Sequence, residues 1–290
     1  DRSVQAVGLG GCFYVTAYEP QKLDLRYDLQ VDILTPGIYM FRRDRGDWHV
    51  EAADPTHKQI SLSLTINGRD VKIVFPSSHP LGKSISIHPF IRAPFVKGIK
   101  VDGKGDDWNI PSAVRGLIAP WDGAVKDSTA FYVCHDKKNL YFLYEVSDTT
   151  LVYNNEKTEA SVGSSDRVEF FFSKDPEMKT YYCAEIDPQG KVMDYEAHHY
   201  RKFDGSWNFK DLKVATYIGK DSYRVEGSLS LKSLKDLGLV SPEGEIRMGV
   251  YRADYFGNKD DQVIWSSWIV PEATEPDFHI PSSLGILRLE

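Results

Sequence analysis

Apolar and polar residues alternate with a period of two along most of this chain, the pattern of half-buried β-strands rather than of helices. ISLSLTI is the clearest case. Ile60, Leu62, Leu64 and Ile66 fall on one face and polar residues on the other, as in an antiparallel strand covered on one side. VKIVF follows after NGRD (67–70), where Asn-Gly supplies the positive φ values of a tight hairpin turn. GCFYVTAY (11–18), YDLQVDIL (27–34) and GIYMF (37–41) share this grammar. SISIHPFI then runs into Arg92-Ala93-Pro94, where proline interrupts ladder pairing and a domain boundary is placed. Residues 1–93 are expected to form a small immunoglobulin-like β-sandwich of about seven strands.

The segment 94–290 continues with longer strands. TAFYVCHD and LYFLYEVSD flank a turn at KKN, and RVEFFFS, TYYCAEID, KVMDYEAHH, LKVATYIG, YRVEGSLSL and IRMGVYRADY follow. The pattern breaks at 231–239, where Leu231, Leu234, Leu237 and Leu239, with Gly238 and Pro242, predict one short helix on the rim of a sandwich. The expected fold class is all-β, with two sandwiches in series.

The 290 residues, 41% hydrophobic and 12% aromatic, suffice for a core in each domain. The formal net charge of -7, with no clustered run of Lys and Arg, argues against a nucleic-acid partner. The acidity is uneven: the first 92 residues carry 11 basic and 10 acidic side chains, the rest 24 against 32. An acidic, aromatic-rich surface suits neutral polyhydroxylated ligands and divalent cations. No apolar run approaches the roughly 20 residues of a membrane-spanning helix. The chain opens at Asp1, which reads as a mature or trimmed chain, any targeting segment having been removed. Cys12, Cys134 and Cys183 lack metal-ligand spacing and read as free thiols, with one disulfide plus a leftover thiol as the alternative.

Nothing in the first domain forms a chemical constellation. His49, His57, His79 and His88 fall in different strands and loops and read as surface or turn residues. Arg42, Arg43 and Arg45, offset by Asp44 and Asp47, read as a solvated turn, and the domain as a spacer or docking module. In the second domain the motifs are VDGKGDDW from Val101, SDRVEFFF from Ser165, YCAEIDPQG from Tyr182, VIWSSW from Val263, and PDFHIP followed by LGILRL at the end. Clustered Asp102, Asp106 and Asp107 before Trp108 read either as a turn closed by side-chain hydrogen bonds or as ligands, chiefly Asp102 and Asp107, of a structural calcium ion. Alternation in DRVEFFF sets Arg167 and Glu169 on a face opposite Val168 and Phe170.

The order and spacing of these motifs resemble the family 9 carbohydrate-binding modules and the wider DOMON-like superfamily, over residues from about 96 to 290. The resemblance implies a β-sandwich that binds an oligosaccharide or polysaccharide without transforming it. It also implies an extracellular, periplasmic or cell-surface setting, with glycan-degrading enzymes as attached or neighbouring domains. It places Glu169 in the ligand site and Glu185 at the next polar position, where sugar-binding members often carry arginine. Phe278 takes the place of the aromatic platform, with Arg252, Trp268 and His279 as further candidates. A pyranose stacks its apolar C–H face on such a ring while its hydroxyls reach polar neighbours. A second aromatic is implied just before the acidic strand. Gly163 stands there, and Tyr153, Trp121 and Trp207 are candidates to replace it.

Two other functions share these residues. A haem-binding, cytochrome-like DOMON domain would use Met178, Met193 or Met248 with His198, His199 or His279. A glycoside hydrolase would use Glu169 and Glu185 as its carboxylate pair.

Overall fold

The computed structural model describes residues 4–9, 12–26, 29–44, 47–53, 59–66, 69–75, 84–87, 89–123, 125–256 and 262–290. The turn residues Asn67 and Gly68, and Arg45, His57, His79 and His88, lie outside the described residues. The chain divides into two compact units, Asp1–Pro89 and Phe90–Glu290.

The strands described in the first unit are β1 (Val4–Leu9), β2 (Cys12–Ala17), β3 (Gln21–Arg26), β4 (Leu29–Ile33), β5 (Gly37–Asp44), β6 (Asp47–Ala53), β7 (Ile60–Ile66), β8 (Arg69–Phe75) and β9 (Ile85–Ile87). They form two antiparallel sheets, β1-β2-β5-β6-β9 and β3-β4-β7-β8. Successive hairpins therefore alternate between the layers. The period of two decides what meets between them: Ile60, Leu62, Leu64 and Ile66 of β7 pack in one core with Val15, Tyr39, Phe41 and Trp48 of the other sheet. β7 pairs antiparallel with β8, with Ile60 opposite Phe75 and Ile66 opposite Arg69. Of the immunoglobulin-like expectation, the two-layer antiparallel architecture is what these strands display, with more strands than seven. His49 makes a surface contact with Ser86.

The second unit contains β10 (Phe90–Ala93), β11 (Val114–Arg115), β12 (Ile118–Ala119), β13 (Val125–Lys126), β14 (Ala130–His135), β15 (Asn139–Ser147), β16 (Arg167–Ser173), β17 (Thr180–Ile186), β18 (Val192–His198), β19 (Lys202–Asp204), β20 (Lys213–Ile218), β21 (Ser222–Ser230), β22 (Glu245–Tyr255), β23 (Val263–Ser267) and β24 (Gly285–Leu289). A short helix, α1 (Leu231–Asp236), begins where the Ser230 side chain accepts from Ser233 N and is followed by Gly238 at φ 73°. One sheet runs β11-β14-β15-β21-β20. The other runs β13-β12-β23-β22-β16-β17-β18-β19, and β24 joins it through β22. β10 lies parallel to β24, with Ile91 beside Leu287, so the second unit starts four residues before Pro94 would suggest.

Between these sheets, Val168, Phe170 and Phe172 of β16 and Tyr182, Ala184 and Ile186 of β17 meet Phe131, Val133, Phe142 and Tyr144 of the facing sheet. The opposite face of β16 and β17 is also covered. Phe171, Tyr181, Cys183, Tyr195 and Tyr251 form a second apolar layer with Phe278 and Leu284 from the segment between β23 and β24. All seven residues of β16 are consequently buried. The charged face read from DRVEFFF lies under this second layer. Cys12, Cys134 and Cys183 are free thiols. Among the described residues no helix is long and apolar enough to cross a membrane.

Candidate functional site

A cavity of about 460 Å³ opens on that outer face, walled by β16, β17, β18, the β19 hairpin and the segment 276–279. Its floor is ionic. Cross-strand pairing sets Glu169 beside Glu185, and alternation puts Arg167 on the same face two residues away. Arg167 Nε lies 2.8 Å from Glu169 Oε1 and 2.6 Å from Glu185 Oε2, and all three side chains are buried. These are ion contacts lying off the N–H direction, so none of the three atoms has a linear hydrogen bond. The other end of Arg167 is held by the carbonyls of Gly163 and Ser165, through Nη1 at 3.2 and 3.4 Å. The Tyr195 hydroxyl donates to Glu185 Oε1 at 2.8 Å.

Burial, reinforced by the Glu185 charge, raises the Glu169 pKa above the usual carboxylate range against the pull of Arg167. Burial works against the Arg167 cation, but Glu169 and Glu185 outweigh it and hold the guanidinium charged. His279 shares a hydrogen bond of 3.1 Å with the Tyr181 hydroxyl through Nδ1. Burial, helped by the nearby Arg201 charge, lowers its pKa to about 3, so the ring is neutral at physiological pH.

The rim is tied across the opening. Arg201 Nη1 lies 3.0 Å from Asp277 Oδ1, which also accepts from His279 N, and the Tyr200 hydroxyl donates to Asp277 Oδ2. Four rings shape the walls. Phe278 stacks on Tyr251 at 4.2 Å and 14°, meets the Trp265 ring at 77°, and is only 5% exposed. Phe203 packs its edge on Tyr195 and is 48% exposed. An ionic floor that can exchange hydrogen bonds with hydroxyls, beneath aromatic faces, is the chemistry of a polyol site.

A family model described as "Carbohydrate family 9 binding domain-like" matches residues 101–290. The chain belongs to this family. The fold agrees: a crystal structure of a Bacteroides uniformis protein described as carbohydrate-binding aligns with a TM-score of 0.58 at 17% identity, over 70% of this chain and 100% of that one. A family 9 carbohydrate-binding module from Caldicellulosiruptor kristjanssonii aligns in its glucose complex with a TM-score of 0.47 at 18% identity, over 70% of this chain and 96% of that one. Its cellotriose complex aligns at 0.47 and 17%, over 70% and 94%. No curated protein matches the chain.

Within the family 9 domain, four residues chosen from the sequence converge on the cavity: Glu169, Glu185, Phe278 and His279. Arg252 and Trp268 lie elsewhere. Arg252 shares the inter-sheet face of β22 with Met248 and Val250, because its number has their parity. There its Nη2 lies 2.8 Å from Asp148 and 3.3 Å from Asp254, and its Nη1 3.8 Å from Asp127. Trp268 likewise turns into the inter-sheet core, 3% exposed, and the indole that reaches the cavity is Trp265, three residues earlier on β23. Of the candidate second aromatics, Trp121 packs against Phe278 at 5.7 Å with its Nε1 donating to Ala273 O. Trp207 packs on Tyr182 and Phe209 on the inter-sheet side.

In the opening motif, Glu226 gathers the turn. Its carboxylate accepts from Asp102 N, Gly103 N and Trp108 Nε1. Asp102 and Asp107 accept from the backbone N–H groups of Lys104 and Lys100. Among the described residues, the three acids close enough to share a cation are Asp148, Asp166 and Asp254, whose ligand atoms lie within 4.8 Å of one another. Arg252 already faces two of them. Asp166 accepts from Val152 N and Tyr255 N, and burial, then Asp148 and Asp254, raise its pKa to about 7.

Of the residues weighed for haem, Met193 and His279 line the cavity, while Met178 and Met248 pack in separate apolar layers on opposite faces of the sheet. Sequence reasoning passed over Tyr195, Arg201, Phe203 and Trp265. Parity along VIWSSW could have separated Trp265 from Trp268 once β23 was placed. Arg201 and Phe203 sit on a short hairpin with no motif to mark it.

Proposed function

We propose that the family 9 domain binds an oligosaccharide or polysaccharide non-catalytically, in an extracytoplasmic protein, within the cavity above Arg167, Glu169 and Glu185. The observation that carries this reading is one buried guanidinium shared by two carboxylates beneath the Phe203, Trp265 and Phe278 rings. The cavity volume lies in the range of small-ligand sites. A sugar C–H face stacks on the half-exposed Phe203 and the open part of Trp265, while Phe278, buried against Tyr251, backs the wall. Glu169, Glu185 and Tyr195 meet the hydroxyls. Glycan-degrading domains, attached or neighbouring, are the partners of such a module, and the first unit acts as a spacer or docking domain.

Hydrolysis is disfavoured by the same geometry. Glu169 and Glu185 are paired neighbours on one sheet face and share one cation, whereas glycosidase carboxylates flank the scissile bond. A calcium ion at Asp102 and Asp107, if bound, stabilises the opening turn and takes no part in the sugar contacts.

Titration of the protein with glucose and with cellotriose, beside its Phe203→Ala and Phe278→Ala variants, tests the assignment. Phe203→Ala is expected to lose at least about tenfold in affinity with an unchanged melting temperature, since a half-exposed ring contributes little to the core. Phe278→Ala is expected to cost about 3–5 kcal/mol of stability, as truncation of a buried ring does. Full affinity in a folded Phe203→Ala protein, or release of reducing sugar by the wild type, would overturn the reading.

A further inference from the structure

The charge of the cavity says more about its ligand than its shape does. On the floor, two carboxylates, Glu169 and Glu185, face a single guanidinium, Arg167, whose Nη1 is already committed to the carbonyls of Gly163 and Ser165. At the rim Arg201 is matched by Asp277, so these two cancel. Asp194, paired with Ala184 and bonded to Phe209 N at 2.6 Å, turns its carboxylate to the inter-sheet side and does not enter this balance. Glu159 adds another carboxylate to the lining. His279, neutral through burial, contributes no positive charge. The floor therefore sets two carboxylates against one guanidinium, and the raised pKa of Glu169 follows from that shortage of positive charge: a second cation at the floor would take the place of its proton.

Resting on the sugar-binding reading, we infer that the site selects an amino sugar, a pyranose bearing a protonated amine, over the corresponding neutral sugar, and excludes uronic acids. An ammonium group supplies the cation that Glu169 and Glu185 share too thinly. A uronate would set a third carboxylate beside them without a free guanidinium to receive it.

Four probes at pH 6 test this with the intact chain: glucosamine, glucose, N-acetylglucosamine and glucuronic acid, each titrated calorimetrically. Glucosamine is expected to bind at least about tenfold more tightly than glucose, the scale of one uncompensated, partly buried charge. N-acetylglucosamine, whose nitrogen is neutral, is expected to lose that gain, and glucuronic acid to show no binding. In Glu185→Gln the ratio of glucosamine to glucose affinity is expected to fall towards about one. Should that variant fail to fold, the comparison of glucosamine with its N-acetyl form on the wild type still decides the matter. Glucose binding as tight as glucosamine, or tight glucuronate binding, overturns the charge selection and leaves the sugar site standing. Failure of all four probes overturns both.

Discussion

Arg167 and Arg252 stand on adjacent strands, and each is a buried guanidinium set among carboxylates, yet the two do different work. Val168 pairs with Arg252 and Arg167 with Ala253, so the two side chains leave the same sheet on opposite faces. On the inter-sheet face, Arg252 meets Asp148, the residue after β15, and Asp254 from its own strand, and so ties the two layers together at 2% exposure. On the outer face, Arg167 meets Glu169 and Glu185 at the floor of a cavity. The chemistry is nearly the same in both places. What differs is whether space is left beside the ion cluster, and that decides between a structural clamp and a binding surface. A buried ion pair is poor evidence of stabilisation in itself, but removing one partner strands a charge whose cost depends on access to water.

The comparison is tested most severely by deleting each cation. Arg252→Ala strands the buried Asp148 beside the half-buried Asp254 and is expected to cost about 3–5 kcal/mol in urea unfolding of the chain. Arg167→Ala is expected to cost less, about 1–3 kcal/mol, because water entering the cavity can replace the guanidinium and Glu169, its pKa already raised, can take up a proton. The same variant should abolish sugar binding. Equal losses of stability in the two variants would show that the cavity does not relieve the stranded carboxylates.

The two faces also differ in how their stability responds to pH. The folded-state pKa of His279, at the cavity wall, is lowered to about 3 from 6.5, so the unfolded chain binds the proton more readily. Its contribution to stability is full above pH 6.5 and is lost as pH falls towards 3, by at most about 1.4 kcal/mol per pH unit. Asp166, beside Asp148 and Asp254, runs the other way. Its folded pKa is raised to about 7 from 3.8, so its contribution is greatest below pH 3.8 and is lost as pH rises through that window. Unfolding free energies measured from pH 4 to 8 should therefore show a shallower acid limb in His279→Gln, and Asp166→Asn should flatten the upper part of the profile. Slopes unchanged in both variants would remove these two groups from the account.

Much of this was legible in one dimension. Alternation along ISLSLTI named the buried face of β7, and alternation along DRVEFFF put Arg167 with Glu169 and apart from Phe170, because side-chain direction in a strand depends only on the backbone. The motif order from VDGKGDDW to LGILRL was sufficient to indicate the family. Period alone could not say that the face bearing Arg167 would be covered by Phe278 and Leu284. Nor could it say that Arg252 would share the inner face of its strand with Met248. Those outcomes depend on the register between strands far apart in sequence, and a shift of one residue exchanges the faces. Trp265 and Trp268 illustrate the point, being three residues apart in one motif and on opposite sides of the sheet. Arg201 and Phe203 reach the cavity because a hairpin folds over it, and Asp277 because a loop before β24 closes from the other side. The sequence by itself determined the strands and the set of side chains on each face. Tertiary packing alone decided which charged face kept an opening, since that is settled by long-range contacts with no local signature.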